Sequence, residues 1–354
     1  MLSLIDRSGL THDAFAEQAG INGTKLSKAL EGARRFTSLD LARIAEHCGV
    51  TVDWLITGEE PPLAVAARTT SGRAGRALNE ARRFSTLRTD LTSLGIFRPA
   101  LRIEAEPRGT LADTALARAA AAGYTVPGSN LIELVETVFD IDVAVIDAGV
   151  ADGGFDGLAA STEDGQQIVL AATELPARQR FTLAHELGHL LAGDDQGFHL
   201  DQDVFAKEQM KDPTEMKANA FAAAFLMPEQ WLRERVTAPF TREAFATLAC
   251  ELLVSPEALA YRLCDLRLID AWARDQYKTL SAARAASLAD QDDAFASRIA
   301  AARTLRPPGL LVRDAYSAYA SGKATLRPYA NLLGVDVDEL VQSLEAGPTA
   351  PDAS

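Results

Sequence analysis

Phe181-Thr-Leu-Ala-His185-Glu186-Leu-Gly-His189-Leu-Leu191 is the stretch on which the reading of this 354-residue chain turns. Phe181, Leu183, Leu187, Leu190 and Leu191 mark it as a buried helix. Two histidines four apart stand one turn from each other on a single helical face, so their imidazoles converge, with Glu186 beside them. Two imidazoles and a carboxylate inside an apolar helix are costly to bury uncompensated. A metal ion compensates them: the pair supplies two nitrogen ligands, and Glu186 is placed to hold and deprotonate a water. The chain has 5 histidines, and chance would space two of them as H-E-x-x-H only on the order of 0.004 times.

A centre of this kind needs a third protein ligand, with the fourth position left for water. Thr214-Glu215-Met-Lys-Ala-Asn219-Ala-Phe221-Ala222 opens another helix, and its Glu215 lies 26 residues beyond His189. Asn219 falls one turn further along the same face, where it would orient that carboxylate or pin the two helices together. Asp194, Asp195, His199, Glu208 and Asp212 occupy the acidic loop between the two motifs. They are rivals for the third ligand position, or a solvated rim.

Working outward, the spacing predicts a helix over Asn130–Phe139 and three short strands, Asp142–Ile146, Phe155–Ala160 and Gln166–Ala172, with Gly and Asp turns between them. Helices follow around 176–192 and 214–226, and the chain from 240 onward reads as helical, with breaks at Arg306–Gly309 and Pro328. Phe245–Ile269 has helix-turn-helix spacing with Ser255 as cap and Pro256 at the first helical position. Its Glu251, Glu257 and Asp265 suit packing or substrate docking rather than DNA. Tyr316, Tyr319 and Tyr329 are expected to pack a core. Cys48, Cys250 and Cys264 lie too far apart for a CxxC clip and are read as buried small hydrophobes.

At the other end, Leu10–Gly32 has the layout of a helix-turn-helix. Thr11 caps a first helix with Ala14, Phe15 and Gln18/Ala19 inward, Gly20 makes a left-handed turn, Ile21 plugs the core and Asn22 caps the second helix. That second helix buries Leu26, Ala29 and Leu30 and shows Gly23, Thr24, Lys25, Ser27 and Lys28 outward. Those side chains are short or basic, as a helix in a major groove needs, and Arg34-Arg35 in the next loop suit phosphates. With Gly49-Val50 and Trp54–Gly58 closing it, the stretch over about residues 4–58 resembles the Xre/Cro family of repressor-like domains, from which it departs at His12 and Leu30-Glu31. The resemblance implies double-stranded operator DNA as partner and a homodimer on two half-sites.

The net charge of -14 is unevenly spread. Residues 1–103 hold 14 Lys and Arg against 11 Asp and Glu, whereas 104–354 hold 21 against 38. Nucleic-acid affinity leans on Lys and Arg, so DNA reading is expected only at the N-terminal end. Within 63–103 the balance is 8 against 2; Arg68, Arg73, Arg76, Arg82, Arg83 and Arg88 read as a solvated linker helix or as an arm along phosphates. The apolar fraction of 47% and charged fraction of 24% exclude wholesale disorder. No stretch is apolar enough to span a bilayer, and the first residues lack a signal-peptide pattern, so a cytoplasmic protein with no membrane association is expected.

Arg178-Gln-Arg180-Phe-Thr-Leu-Ala-His-Glu-Leu-Gly-His, followed by Glu215, Ala218-Asn219, Phe221-Ala222 and Leu226-Met227-Pro228, resembles the ImmA/IrrE family of zinc metallopeptidases over about residues 110–235. The resemblance implies a minimal zincin, with His185, His189 and Glu215 as ligands to one zinc, or manganese in its place, and Glu186 as general base. It implies a regulatory protease cutting an Xre-type repressor. The strand Gln166–Ala172 is then expected as the edge that pairs with extended substrate. Arg178 and Arg180 are expected to clamp helix to sheet.

The fold class is therefore α+β and mostly helical. It comprises a helix-turn-helix over 1–62, an Ala/Arg-rich helical linker over 63–109, a metallopeptidase core over 110–239, C-terminal helices over 240–347 and a frayed tail over 348–354. The function that follows is a DNA-binding regulator fused to a zinc endopeptidase. Two other arrangements use the same residues: a DNA-binding regulator with a sensory or structural zinc, and a protease whose N-terminal domain docks its protein substrate.

Overall fold

The computed structural model describes residues 10–30, 34–48, 75–99, 109–126, 130–147, 155–193, 198–201 and 213–345, together with Ile5, Leu55, Leu101 and Ile103. They fall into two compact units, Met1–Ala64 and Val65–Ser354. The closing Val50 and Trp54, Arg68, Arg73, the candidates Asp194, Asp195, Glu208 and Asp212, and the tail lie outside the described residues, as does the side chain of His199.

In the first unit, α1 (His12–Gln18), α2 (Gly23–Leu30) and α3 (Ser38–Cys48) surround a small core. Ala14 N–H donates to Thr11 Oγ1 at 3.3 Å and Lys25 N–H to Asn22 Oδ1 at 3.3 Å, so both caps form where the sequence places them. Gly20, at φ +67°, makes the left-handed turn. Phe15, Ala16, Ala19, Ile21, Leu26 and Ile44 close over Ile5.

The second unit runs α4 (Gly75–Ser93), α5 (Leu111–Ala121), α6 (Leu131–Phe139), β1 (Ile141–Ile146), β2 (Gly157–Thr162), β3 (Gly165–Ala171), α7 (Pro176–Ala192), β4 (Phe198–Asp201), α8 (Pro213–Leu226) and α9 (Glu229–Arg235). There follow α10 (Arg242–Leu252), α11 (Pro256–Asp265), α12 (Ala271–Tyr277), α13 (Ala282–Leu288), α14 (Asp292–Arg303), α15 (Gly309–Ala320), α16 (Arg327–Leu333) and α17 (Val337–Glu345).

The sheet order is β1-β3-β2-β4. β1 pairs parallel with β3, Ile141 opposite Gln166, and β2 runs antiparallel to both β3 and β4. Gln166–Ala172 is thus an interior strand and not the expected edge. The outer side of β1 is taken by a bridge to Arg306, whose N–H meets Val145 O at 3.0 Å, which leaves β4 outermost on the other side among the described residues. β4 escaped the sequence reading because its alternation, Phe198-His199-Leu200-Asp201, is only four residues long and sits in an acidic loop.

Adjacent residues on β3 identify what covers each face, since neighbours on a strand point oppositely. Gln166 Nε2 donates to Leu190 O of α7 at 3.4 Å, whereas Gln167 Nε2 donates to Ala81 O of α4 at 2.8 Å. With helices on both faces, β1 and β3 are buried almost throughout, which explains their near-continuous apolar runs.

That arrangement corrects the reading of 63–109 as a linker. α4 is a covering helix, and Arg88, 3% exposed, meets Asp142 at 2.6 Å and Asp314 of α15 at 2.6 Å. Neither solvent nor phosphate is its partner. Nor do 110–239 and 240–347 separate: Phe245, Leu248, Leu252 and Leu259 share one core with Leu183, Leu187 and Phe225. Tyr316 and Tyr319 are 42% and 37% exposed, with Tyr316 5.2 Å from Tyr329 between ring centroids, so this trio is a surface cluster rather than core. Among the described residues no single helix is long and apolar enough to cross a membrane.

Candidate metal centre

α7 begins at Pro176, whose fixed φ suits a first helical position, and ends at Gly193, in the left-handed region at φ +73°. From Thr182 to Leu191 every side chain is buried. His185 and His189 face α8, and Glu215 enters from its first turn. His185 Nε2 and His189 Nε2 lie 3.0 Å apart, Glu215 Oε2 is 3.2 Å from His185 Nε2, and Glu215 Oε1 is 3.4 Å from His189 Nε2.

Three potential ligand atoms therefore share one small volume, all on buried residues. Tetrahedral ligands at about 2.1 Å from a zinc ion stand about 3.4 Å from one another, so the spacing and the two-nitrogen, one-carboxylate donor set fit a divalent cation such as zinc. Glu186, 0% exposed, sits next to His185 on the same helix.

Asn219 is one turn beyond Glu215, but its partner is His185 rather than the carboxylate: Asn219 Oδ1 lies 3.1 Å from His185 Nδ1. A hydrogen on Nδ1 donated to that amide oxygen turns the Nε2 lone pair toward the shared volume. The expected pinning of the two helices holds, through the histidine.

Two glycines that the sequence reading passed over shape the centre. A methyl group on Gly157, at the start of β2, would stand 2.5 Å from Thr182 Cγ2 and 2.9 Å from Glu186 Oε1. One on Gly188 would stand 2.9 Å from Phe221 Cδ1, so this glycine lets α7 and α8 approach closely enough for Glu215 to reach the histidines. A glycine at the head of a strand, beside Asp156, was the available signal. Asp156 itself takes both Arg178 Nε at 2.9 Å and Nη2 at 2.5 Å, tying α7 to the strand beside Gly157. Arg180 instead donates to Val126 O at 2.7 Å.

In the first unit, Thr24, Lys25, Lys28 and Arg35 are exposed and Ser27 half-buried, so α2 presents the outward face expected for it. Arg34 is already engaged: its Nη2 is 2.8 Å from Asp40 Oδ2, and its Nε donates to Arg35 O at 3.2 Å. Asp40 also accepts from Thr37 N–H at 3.0 Å, and that bond, aided by Thr37 Oγ1 and Arg34 against the cost of burial, holds its carboxyl below the usual range.

Residues 136–264 match the family model of the IrrE N-terminal-like domain, and residues 4–55 match a helix-turn-helix domain. The radiation response metalloprotease IrrE of Deinococcus radiodurans is 34% identical over 164 residues, covering 45% of this chain and 48% of the relative. Its namesake from Deinococcus deserti is 32% identical over 150 residues, covering 42% and 51%. The chain thus spans about half the length of these curated relatives. It joins a helix-turn-helix domain to an IrrE N-terminal-like domain.

Proposed function

We propose that this protein is a DNA-binding regulator whose IrrE-like domain is a zinc endopeptidase acting on a repressor-like regulatory protein. The observation that carries the reading is the convergence of Glu215, from α8, on His185 and His189, which share the buried helix α7 with Glu186. A divalent cation held by the three ligands supplies Lewis-acid activation of water and of a peptide carbonyl. Glu186 takes the proton from the attacking water and returns it to the departing amine. His185, oriented by Asn219, and Glu215 keep the ligand atoms in place, while Gly157 leaves room for the Glu186 carboxylate. An extended substrate segment adds to the sheet at β4, the outermost strand on the β2 side.

In the first unit, α2 enters the major groove with Thr24, Lys25, Ser27 and Lys28, and Arg35 rests on phosphate. The relatives' names support the protease, and the acidity of residues 104–354 suits a basic protein substrate. A homodimer would place two α2 helices on successive half-sites.

The decisive experiment is Glu186→Gln in the full chain, co-expressed with an Xre-type repressor. Loss of cleavage with about one zinc per chain retained is the expected result. Cleavage at the wild-type rate would remove Glu186 from the mechanism, and protein purified without chelator yet free of metal would remove the centre.

A further inference from the structure

A cavity of about 230 Å³ lies away from the metal ligands, between the first turns of α7 and the helices α10, α13 and α14. Its walls are largely apolar, with Leu183, Val254 and Phe295 among them. In a chain of net charge -14 its lining contains no Asp or Glu, yet it contains two arginines, Arg180 and Arg298.

Both guanidiniums are committed to backbone oxygens in part. Arg298 donates through Nη1 to Cys250 O at 3.2 Å and through Nε to Ala294 O at 3.1 Å, while its Nη2 is buried with no hydrogen-bond partner among the described residues. A buried donor left in that state is unfavourable, and an acceptor from a ligand would satisfy it. Burial pulls the Arg180 guanidinium down to about 10.

We propose that this cavity binds a small amphipathic carboxylate, its apolar body against Leu183, Val254 and Phe295 and its carboxylate on Arg298. Size narrows the class. A cavity of roughly 150 Å³ holds benzene and drug-sized ligands occupy roughly 300 Å³ or more, so the space suits a short aryl or alkyl acid. The unpartnered Nη2 of Arg298 would donate a charge-assisted hydrogen bond to one carboxylate oxygen. Because Arg180 and Leu183 stand on the helix that carries His185 and His189, the occupant would grip the N-terminal half of α7.

The test is calorimetric titration of the full chain with phenylacetate and octanoate, alongside 2-phenylethanol and inorganic phosphate. Saturable binding of at least one acid is expected, with the alcohol and phosphate at least tenfold weaker. Arg298→Gln should weaken the acid at least tenfold, and Ala177→Leu, which fills the cavity from the first turn of α7, should abolish binding while melting like the wild type. Absence of saturable acid binding to the wild type would overturn the proposal. So would phosphate binding as tightly as the acids, or acid binding indifferent to both substitutions.

Discussion

Glu186 lies directly over Gly157: a methyl group at that glycine would come within 2.9 Å of Glu186 Oε1 and 3.1 Å of its Cγ. The general base proposed here is therefore positioned by the absence of a side chain on the neighbouring strand. Gly157→Ala should push the carboxylate aside without touching a ligand atom. Displacements of about 1 Å at a reacting group cost on the order of 100-fold. Turnover on a peptide or repressor substrate should fall by about that factor while zinc content stays near one per chain; unchanged turnover would show that the carboxylate tolerates the shift.

Asn219 Oδ1 and His185 Nδ1 are 3.1 Å apart, a contact between α8 and the helix carrying both histidines. Removing a partner of this kind lowers metal affinity by about 10–100-fold. Asn219→Ala should show that loss in competition with a chromophoric chelator. Asn219→Asp, which keeps the acceptor, should recover most of it. Equal affinity in all three proteins would mean that the amide only packs the helices.

Much of this architecture was legible in the sequence because periodicity and spacing are local. The H-E-x-x-H pair, the caps at Thr11 and Asn22 and the β1 and β3 runs all follow from a few neighbouring residues. What escaped were relations between residues far apart in the chain. Arg88 looked solvated until Asp142 and Asp314, 54 and 226 residues away, closed on it. Gln166–Ala172 looked like an edge because strand order depends on pairing partners, which no single strand encodes. Gly157 carried only a weak signal, since its meaning depends on Glu186 arriving from the next helix.

The first helical unit separates two kinds of basic residue. Lys25 and Lys28 are exposed, whereas Arg34 is held by Asp40. Lys25→Ala with Lys28→Ala should weaken DNA binding across sequences and reduce the slope of log affinity against log salt by about 1.8. Arg34→Ala should leave that slope nearly unchanged and instead cost the unit less than about 1 kcal/mol, the range of a partly exposed ion pair. Fluorescence anisotropy across a salt series distinguishes them; an equal slope change for Arg34→Ala would return it to the phosphate-binding set.

Asp314 is the junction between α4 and α15, accepting from Arg88 Nη1 at 2.6 Å and from Arg98 Nε and Nη2 at 2.6 and 2.9 Å. Burial pushes its carboxyl up, and the hydrogen bonds from Arg98 and Arg88 outweigh that and hold it below the usual range. A carboxyl depressed in the folded state stabilises fully above its unfolded value of about 3.9 and ceases to as pH falls through the folded value. Asp142 has the opposite sign, burial outweighing Arg88 and raising it, so its ionised form is already disfavoured in the fold. Asp314→Asn should therefore cost about 3–5 kcal/mol at pH 7, as breaking a buried pair does, and Asp142→Asn less. In thermal melts the Asp314→Asn deficit should shrink as pH falls below 4. A deficit that stays constant down to pH 2, or one larger for Asp142→Asn, would show that packing around the carboxyl, and not its charge, joins the two helices.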